Sequence, residues 1–367
     1  MDRHQVQINF LKDEDNEAIL DLSCRCPQHG VISGYPDRSP VFNRIHRQLD
    51  IESFHMVARL GEKIIGCIGA IFTPVQYGDK TFRSVYLLDF KVDEDYRKGM
   101  TAYRLMRETL DFLLRNNVLM GIACIIKGNE ASHIFTRGRA GFQGACCLGD
   151  IQVNNIMPLW ERKIDPRFIL ANPGQEDIPE LVDLYNRFYD TYKLAPRMTD
   201  NLFRYYTTEI EGMDLDNMWV AREGGKIKAV LCAWDENIYK RWWVIKIPFS
   251  KKLLFMFMRF LSLFVKMPAP IRINEPLRQK TLVMCAHDQC LDGLKALLRH
   301  MNNIHLGKGY TVLQTHFHAE DDMLLAQKGL PRLKVEIEAY MATTDPELAG
   351  EIASIPGPVH FEWPMFI

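Results

Sequence analysis

The sequence predicts an α/β protein built as two mixed-sheet domains in tandem, and three observations carry that expectation. Its 367 residues exceed one ordinary domain of roughly 100–150 residues and suit two. A hairpin motif occurs twice: Val57-Ala-Arg-Leu-Gly-Glu-Lys-Ile64 recurs as Val220-Ala-Arg-Glu-Gly-Gly-Lys-Ile227. The order of elements after each copy is then the same.

Taken in order, each hairpin joins apolar, β-branched runs across a short glycine-containing turn. The return strands are expected over 64–72 and 227–234. After the first hairpin come a strand over 85–92, a helix from about 99 to 116, and a strand over 118–126. After the second come a strand over 281–286, a helix from about 289 to 303, and a strand over 310–315. A helix linking roughly parallel strands covers one sheet face, so each half reads as a mixed α/β layer. Pro158, Pro166 and Pro173 mark the boundary, because clustered prolines and the turn Asn172-Pro173-Gly174 interrupt regular structure. The domains are therefore placed at residues 1–160 and 165–345, followed by a tail over 346–367.

Composition excludes several classes. The 45 Lys+Arg and 46 Asp+Glu leave a formal net charge of -1, which gives no whole-chain sign of nucleic-acid binding. No apolar run of about 18 residues suits a membrane span. Nine cysteines, an odd number, and a start without an apolar signal segment predict a reduced, cytoplasmic protein. Cys24, Cys26 and His29 do not complete a tetrahedral metal site, and Cys146-Cys147 reads as strand packing.

The second half carries an insertion over 238–280, in which ten Lys and Arg residues face the single acid Glu275. Within it, Leu253-Leu-Phe-Met-Phe-Met-Arg-Phe-Leu-Ser-Leu-Phe-Val265 is too short to cross a bilayer. As a helix it is apolar nearly all round. Three readings stand: packing between domains, a peripheral membrane contact through 251–267, and a lid over an apolar substrate.

The segment from Val85 to Leu114 is the most informative. A strand enters the polar turn Asp93-Glu-Asp-Tyr-Arg-Lys-Gly99, and a helix opens directly after it. Ala102, Leu105, Met106, Thr109, Leu110, Leu113 and Leu114 recur at the spacing of one buried helix face. The helix N-terminus then offers free N–H groups and the positive end of its dipole, a site for phosphate. Arg97, Lys98 and Arg104 add positive charge there.

This strand, turn and helix resemble the acyl-CoA-binding motif of the GNAT superfamily of N-acetyltransferases, whose pattern is Arg/Gln-x-x-Gly-x-Gly/Ala. Here it reads Arg97-Lys98-Gly99-Met100-Thr101-Ala102, with Met100 where the family has glycine. The segment Asn129-Glu-Ala-Ser-His-Ile-Phe-Thr-Arg-Gly-Arg-Ala-Gly141-Phe142 is similar to the family's closing helix, one residue longer. The tyrosine that reprotonates the leaving thiolate is missing from it, with Phe135, Thr136 and Arg137 in that neighbourhood. The stretch from His29 to Asp37 resembles one in bacterial tandem GNAT proteins. The resemblance implies two GNAT-like acyl-CoA N-acyltransferase domains. It also implies acetyl-CoA or another acyl-CoA as co-substrate, no metal, and an acyl-CoA site formed by Phe90, Lys91, Val92, Arg97, Lys98, Gly99, Met100, Thr101, Ala102, Asn129 and Ser132. It further implies an amine acceptor, as a small molecule or a peptide, attacking directly in a ternary complex.

In the second half, Asp288 and Asp292 flank the equivalent helix start and repel a pyrophosphate, so this half reads as a degenerate copy. His316, His318 and Asp321 imitate metal ligands, but a strand-end histidine pair is more often solvated. A primary amine with a pKa near 10.4 costs roughly 4–5 kcal/mol to deprotonate at neutral pH, so a nearby base helps. The candidates are Asp89 on the strand, Glu94 with Asp95 at its mouth, and His133 in the closing helix. Backbone N–H groups of residues 90–92 are the candidate oxyanion donors. The rival readings are a non-catalytic protein that binds CoA or a partner, and an acyltransferase working on an apolar acceptor at a membrane surface.

Overall fold

The structure, a computed structural model, describes residues 6–30, 32–77, 80–118, 120–137, 145–343, 345–354 and 357–360. The strands of the first half are β1 (Val6–Phe10), β2 (Ser33–Asp37), β3 (Ser53–Leu60), β4 (Lys63–Tyr77), β5 (Lys80–Val92), β6 (Met120–Ile126) and β7 (Cys146–Ile156). Those of the second are β8 (Ile169–Ala171), β9 (Met218–Glu223), β10 (Lys226–Trp234), β11 (Arg241–Lys246), β12 (Gln279–His287), β13 (Val312–His318) and β14 (Arg332–Thr343). Twelve of them form one continuous sheet in the order β1-β3-β4-β5-β6-β14-β7-β13-β12-β10-β9-β8, while β2 and β11 pair separately.

That order reads alike from both edges. Each half lays down five strands inward from its own edge, and the antiparallel pair β14 and β7 forms the middle. The last strand of each half lies in the other: β14 pairs with β6 of the first half, and β7 pairs with β13 of the second. Pro158 and Pro166 fall between β7 and β8 and Pro173 just after β8, and this exchange reaches across them.

The two hairpins of the repeat occupy matching places. In the first, Leu60 pairs with Lys63 and Gly61 takes φ 60°. In the second, Glu223 pairs with Lys226 and both Gly224 and Gly225 have positive φ, the backbone that two-residue hairpin loops demand. Next along each sheet, β5 and β12 carry a bulge. The register against β4 shifts between Cys67 and Gly69, and that against β10 between Val230 and Cys232. At these bulges Asp89 and Met284 hold φ 53° and 52°, a left-handed backbone rarely adopted by residues other than glycine.

Helices cover both sheet faces. On β3, Met56 and Ala58 join Leu105, Met106 and Leu110 of α3 (Thr101–Arg115), whereas Val57 joins Ile19 and Leu22 of α1 (Asn16–Arg25). Alternate strand residues point to opposite faces, so the two helices lie on opposite sides of the sheet. The second half repeats this arrangement. Val220 and Val230 meet α5 (Ile178–Tyr189), while Ala221 and Leu231 meet α8 (Leu291–His305). The parallel crossovers β5-α3-β6 and β12-α8-β13 are thus built alike. The tail helix α10 (Pro346–Ser354) packs on β14 and β7.

The expected helices and strands are present with ends displaced by a few residues, because end residues fray and strand pairing extends beyond the apolar runs. Two expectations are corrected here. Leu114, expected on the buried face of α3, is 45% exposed. His318 is buried rather than solvated, its Nε2 3.2 Å from the Leu148 carbonyl. It lies over Gly149, where a Cβ would come within 2.2 Å of its ring. None of the nine cysteines is joined in a disulfide.

Strand exchange makes a prediction. A fragment of residues 1–160 lacks β14, leaving the facing edges of β6 and β7 unpaired, and such edges aggregate. Expressed alone it should be insoluble or oligomeric, and co-expression with residues 161–367 should restore a soluble species in size-exclusion chromatography.

Candidate active site

The site begins where β5 and β6 part. These parallel strands pair from Ser84 with Met120 to Leu87 with Ala123, and no further pair joins them. From Asp89 to Val92, then, the β6-facing edge of β5 has no neighbouring strand, although the Asp89 and Val92 carbonyls accept from Cys67 Sγ and Arg97 Nε at 3.1 and 3.0 Å. The bulge at Asp89 aims this edge away from regular pairing.

The turn after β5 is anchored from behind. Asp93, buried, caps it by accepting from Asp95 N–H at 3.2 Å and forms ion pairs with Arg25 and with Lys63, the latter at 3.1 Å. Glu94, a candidate base, faces outward, 3.1 Å from Arg97 and 3.7 Å from His29. Arg97 donates Nε to the Val92 carbonyl at 3.0 Å, which places its guanidinium across the mouth of the gap. Lys98 and Gly99 are exposed beside it.

Helix α3 opens at Thr101 without a side-chain cap. Its first internal bond is Arg104 N–H to the Met100 carbonyl at 2.9 Å. Among the described residues, the N–H groups of Met100, Thr101, Ala102 and Tyr103 have no acceptor. Four free donors, the helix dipole and the nearby Arg97 make a terminus suited to an anion. Met100 side chain is exposed, so it leaves these N–H groups open.

On the other side of the gap stands α4 (Glu130–Thr136). The Asn129 carbonyl receives the N–H groups of Ser132 and His133 at 3.1 and 3.2 Å. Phe135 meets the Phe90 ring edge-on, centroids 5.0 Å apart, so the helix closes on the bulged strand. The Gly141-Phe142 part of the expected closing segment lies outside the described residues. His133 is buried, with Nε2 3.2 Å from Glu338 and Nδ1 3.5 Å from the Tyr340 hydroxyl. Burial first, and the neighbouring Glu338, raise the Tyr340 pKa, so the phenol keeps its proton. Both partners belong to the exchanged strand β14. Sequence reasoning could not find them, since they come from the opposite half.

Asp89, a candidate base, is enclosed by basic groups. It is nearly inaccessible, and its carboxylate receives Arg38 Nη1 at 2.9 Å and Lys91 Nζ at 2.8 Å, with His55 Nε2 at 3.4 Å. Burial works to raise its pKa, but Arg38, Lys91 and then His55 outweigh it and hold the group well below the usual carboxylate range. So engaged, it is a poor proton acceptor and fits a positioning role, tying the bulge to the loop after β2. Lys91, expected at the ligand, spends its ammonium on Asp89; its backbone remains on the open edge. Arg38 and His55 were not foreseen, although a buried aspartate implies basic partners.

The second half has the same parting of strands but a different filling. β12 and β13 pair only from Gln279 with Val312 to Thr281 with Gln314. Beside the Met284 bulge, the Tyr189 hydroxyl donates to the Cys285 carbonyl at 2.8 Å. Near the α8 start, Asp292 lies 3.1 Å from Arg167, and Asp288 lies 3.0 Å from Lys228. The helix terminus already carries its own carboxylate. Among the described residues, no group of three or more His, Cys, Asp or Glu could hold a metal ion.

Residues 16–142 match the model of the acetyltransferase (GNAT) family. The fold is similar to that of Saccharomyces cerevisiae N-myristoyltransferase. A structure of that enzyme with bound myristoyl-CoA has TM-score 0.60 and 12% identity, over 92% of this chain and 79% of that one. A second structure of the yeast enzyme with myristoyl-CoA has TM-score 0.58 and 12% identity, over 94% and 84% of the two chains. A probable N-acyltransferase of unknown function from Enterococcus faecalis V583 has TM-score 0.50 and 11% identity, over 94% and 73%. At these identities the likeness concerns the fold. No curated protein matches the sequence.

Replacing Asp89 by Asn should leave Arg38 and Lys91 buried without their counter-charge and destabilise the protein by about 3–5 kcal/mol, read in denaturant unfolding. The depressed pKa adds a pH signature. Stability from ionised Asp89 is fully present above the unfolded-state pKa near 3.9 and is lost as pH falls through the lower folded value. The wild type should therefore lose more stability than Asp89→Asn on acidification below about pH 4.

Proposed function

We propose that this protein is a cytoplasmic acyltransferase that moves an acyl group from acyl-CoA, held by its first half, to an amine acceptor. The observation that carries this reading is the open edge of β5 leading to the free N–H groups of α3. A molecule with a pyrophosphate at one end and an amide-containing arm at the other suits both. The pyrophosphate rests at residues 100–103 beside Arg97 and Lys98, and the arm lies along Phe90, Lys91 and Val92 under Asn129 and Ser132. The yeast structures with bound myristoyl-CoA support acyl-CoA as donor and extend the donor class to long chains.

In this reading, the acceptor nitrogen attacks the thioester carbonyl directly, in a ternary complex. The developing oxyanion is met by backbone N–H groups of residues 90–92. The carbon–sulfur bond breaks and the electron pair leaves on sulfur. The thiolate takes the phenolic proton of Tyr340, and His133 passes the amine proton to the phenolate. Tyr340 thereby supplies the proton whose usual donor is absent from α4. Glu94 stays at the mouth, paired with Arg97. The reading assigns residues 1–160 to the acyl-CoA half. It gives residues 165–345 a supporting task, since Tyr189 and Asp292 fill the positions a second ligand needs.

Two outcomes are expected. Calorimetric titration should show one CoA site per chain, lost in Arg97→Glu; no binding to the wild type overturns the reading, and two sites overturn the supporting role of the second half. With an amine that supports CoA release, Tyr340→Phe and His133→Gln should each lower kcat by about a hundredfold while leaving the acyl-CoA KM nearly unchanged. Unchanged kcat in both removes the relay.

A further inference from the structure

The insertion forms β11 and then α7 (Phe249–Leu261), two residues downstream. Only Phe255 of this helix is buried; it packs with Val244, Ile247 and Ile271, with Met258 partly buried against them. The expectation of burial between domains is therefore corrected. Phe249 is 82% exposed, Met256 67%, Leu253 62%, Phe257 58% and Phe260 56%. Successive helical residues turn by about 100°, which places these five side chains in one outward arc of roughly 100°. Phe264, 71% exposed, extends the arc into the following turn.

Water does not favour such a face, and apolar surface this continuous marks an interaction site. Its borders indicate the partner. Lys252 and Arg259 fall along one flank of the arc, and Lys266 follows just beyond the helix. Among the described residues none of the three forms an ion pair. Over 238–280 the only acid is Glu275, and it is bound to Arg272 at 3.2 Å. Apolar side chains in the centre with unpaired cations at the rim match a surface of acyl chains beneath anionic headgroups, with Lys and Arg stems lying along the apolar layer. No helix of the described residues is long and apolar enough to cross a membrane, so the helix lies in the plane.

We propose that α7 docks this protein on the surface of an anionic bilayer, its phenylalanine arc in the acyl layer and Lys252, Arg259 and Lys266 at the headgroups. The inference does not depend on acyl transfer, since it concerns a separate surface.

The test is flotation of the full chain with vesicles of phosphatidylcholine, with or without phosphatidylserine. One variant combines Phe257→Ser, Phe260→Ser and Phe264→Ser, and another Lys252→Glu, Arg259→Glu and Lys266→Glu. All six positions are exposed, and an unchanged thermal midpoint establishes that each variant folds. The wild type should float with the phosphatidylserine vesicles, more weakly in high salt, and both variants should partition roughly tenfold less or worse. A wild type that stays with the soluble fraction overturns the proposal, as do variants that float equally well. A wild-type dimer that ignores vesicles and becomes monomeric in the phenylalanine variant also overturns it, assigning the face to a second copy of the chain.

Discussion

Everything in this structure turns on two parallel strands that stop pairing. A strand edge left without a neighbour inside a fold must find hydrogen bonds elsewhere, because an unmet buried amide costs as much as a lost bond. In the first half, the edge opens toward the free end of α3 and the closing helix α4. In the second, Tyr189 occupies a carbonyl next to the bulge, and Asp292 sits at the helix start with its own arginine. One backbone plan thus yields one open cleft and one that side chains have filled.

The bulge that directs the open edge is itself held by charge. Asp89 keeps a left-handed backbone, a conformation that costs of order 1–3 kcal/mol and persists only where the surroundings enforce it. Arg38, Lys91 and His55 supply that enforcement from three separate elements. The buried cluster also connects the bulge to the loop after β2, and β2 pairs with β11 of the second half. The halves are consequently joined twice, through the exchanged strands at the centre and through this two-stranded ribbon. Exchange also delivers Glu338 and Tyr340 to His133.

Much of this was legible in the sequence because it is local. The α3 face shows in the spacing of Leu105, Met106, Leu110 and Leu113, and the hairpins show in their glycine turns. The terminus suited to an anion follows from a polar turn running directly into a helix. What could not be read was long-range. Nothing near Cys146–Ile156 announces that its neighbour is Arg332–Thr343, because both strands are amphipathic and either would serve several slots. His318 looked like a solvated ligand until Gly149 provided a space for its ring. The role of Asp89 needed Arg38, fifty-one residues away. The insertion helix resisted assignment for another reason: apolar on most of its circumference, it gives no periodic clue to which side faces water.

The central claim is that the opening between β5 and β6, and not the one between β12 and β13, receives the acyl-CoA. Hydrogen–deuterium exchange of the full chain with and without CoA reads both openings in one experiment. The account predicts slowed exchange of the amides at residues 97–104 and 126–133, with the amides at 285–294 unchanged. Slowing at 285–294, with none at 97–104, contradicts it.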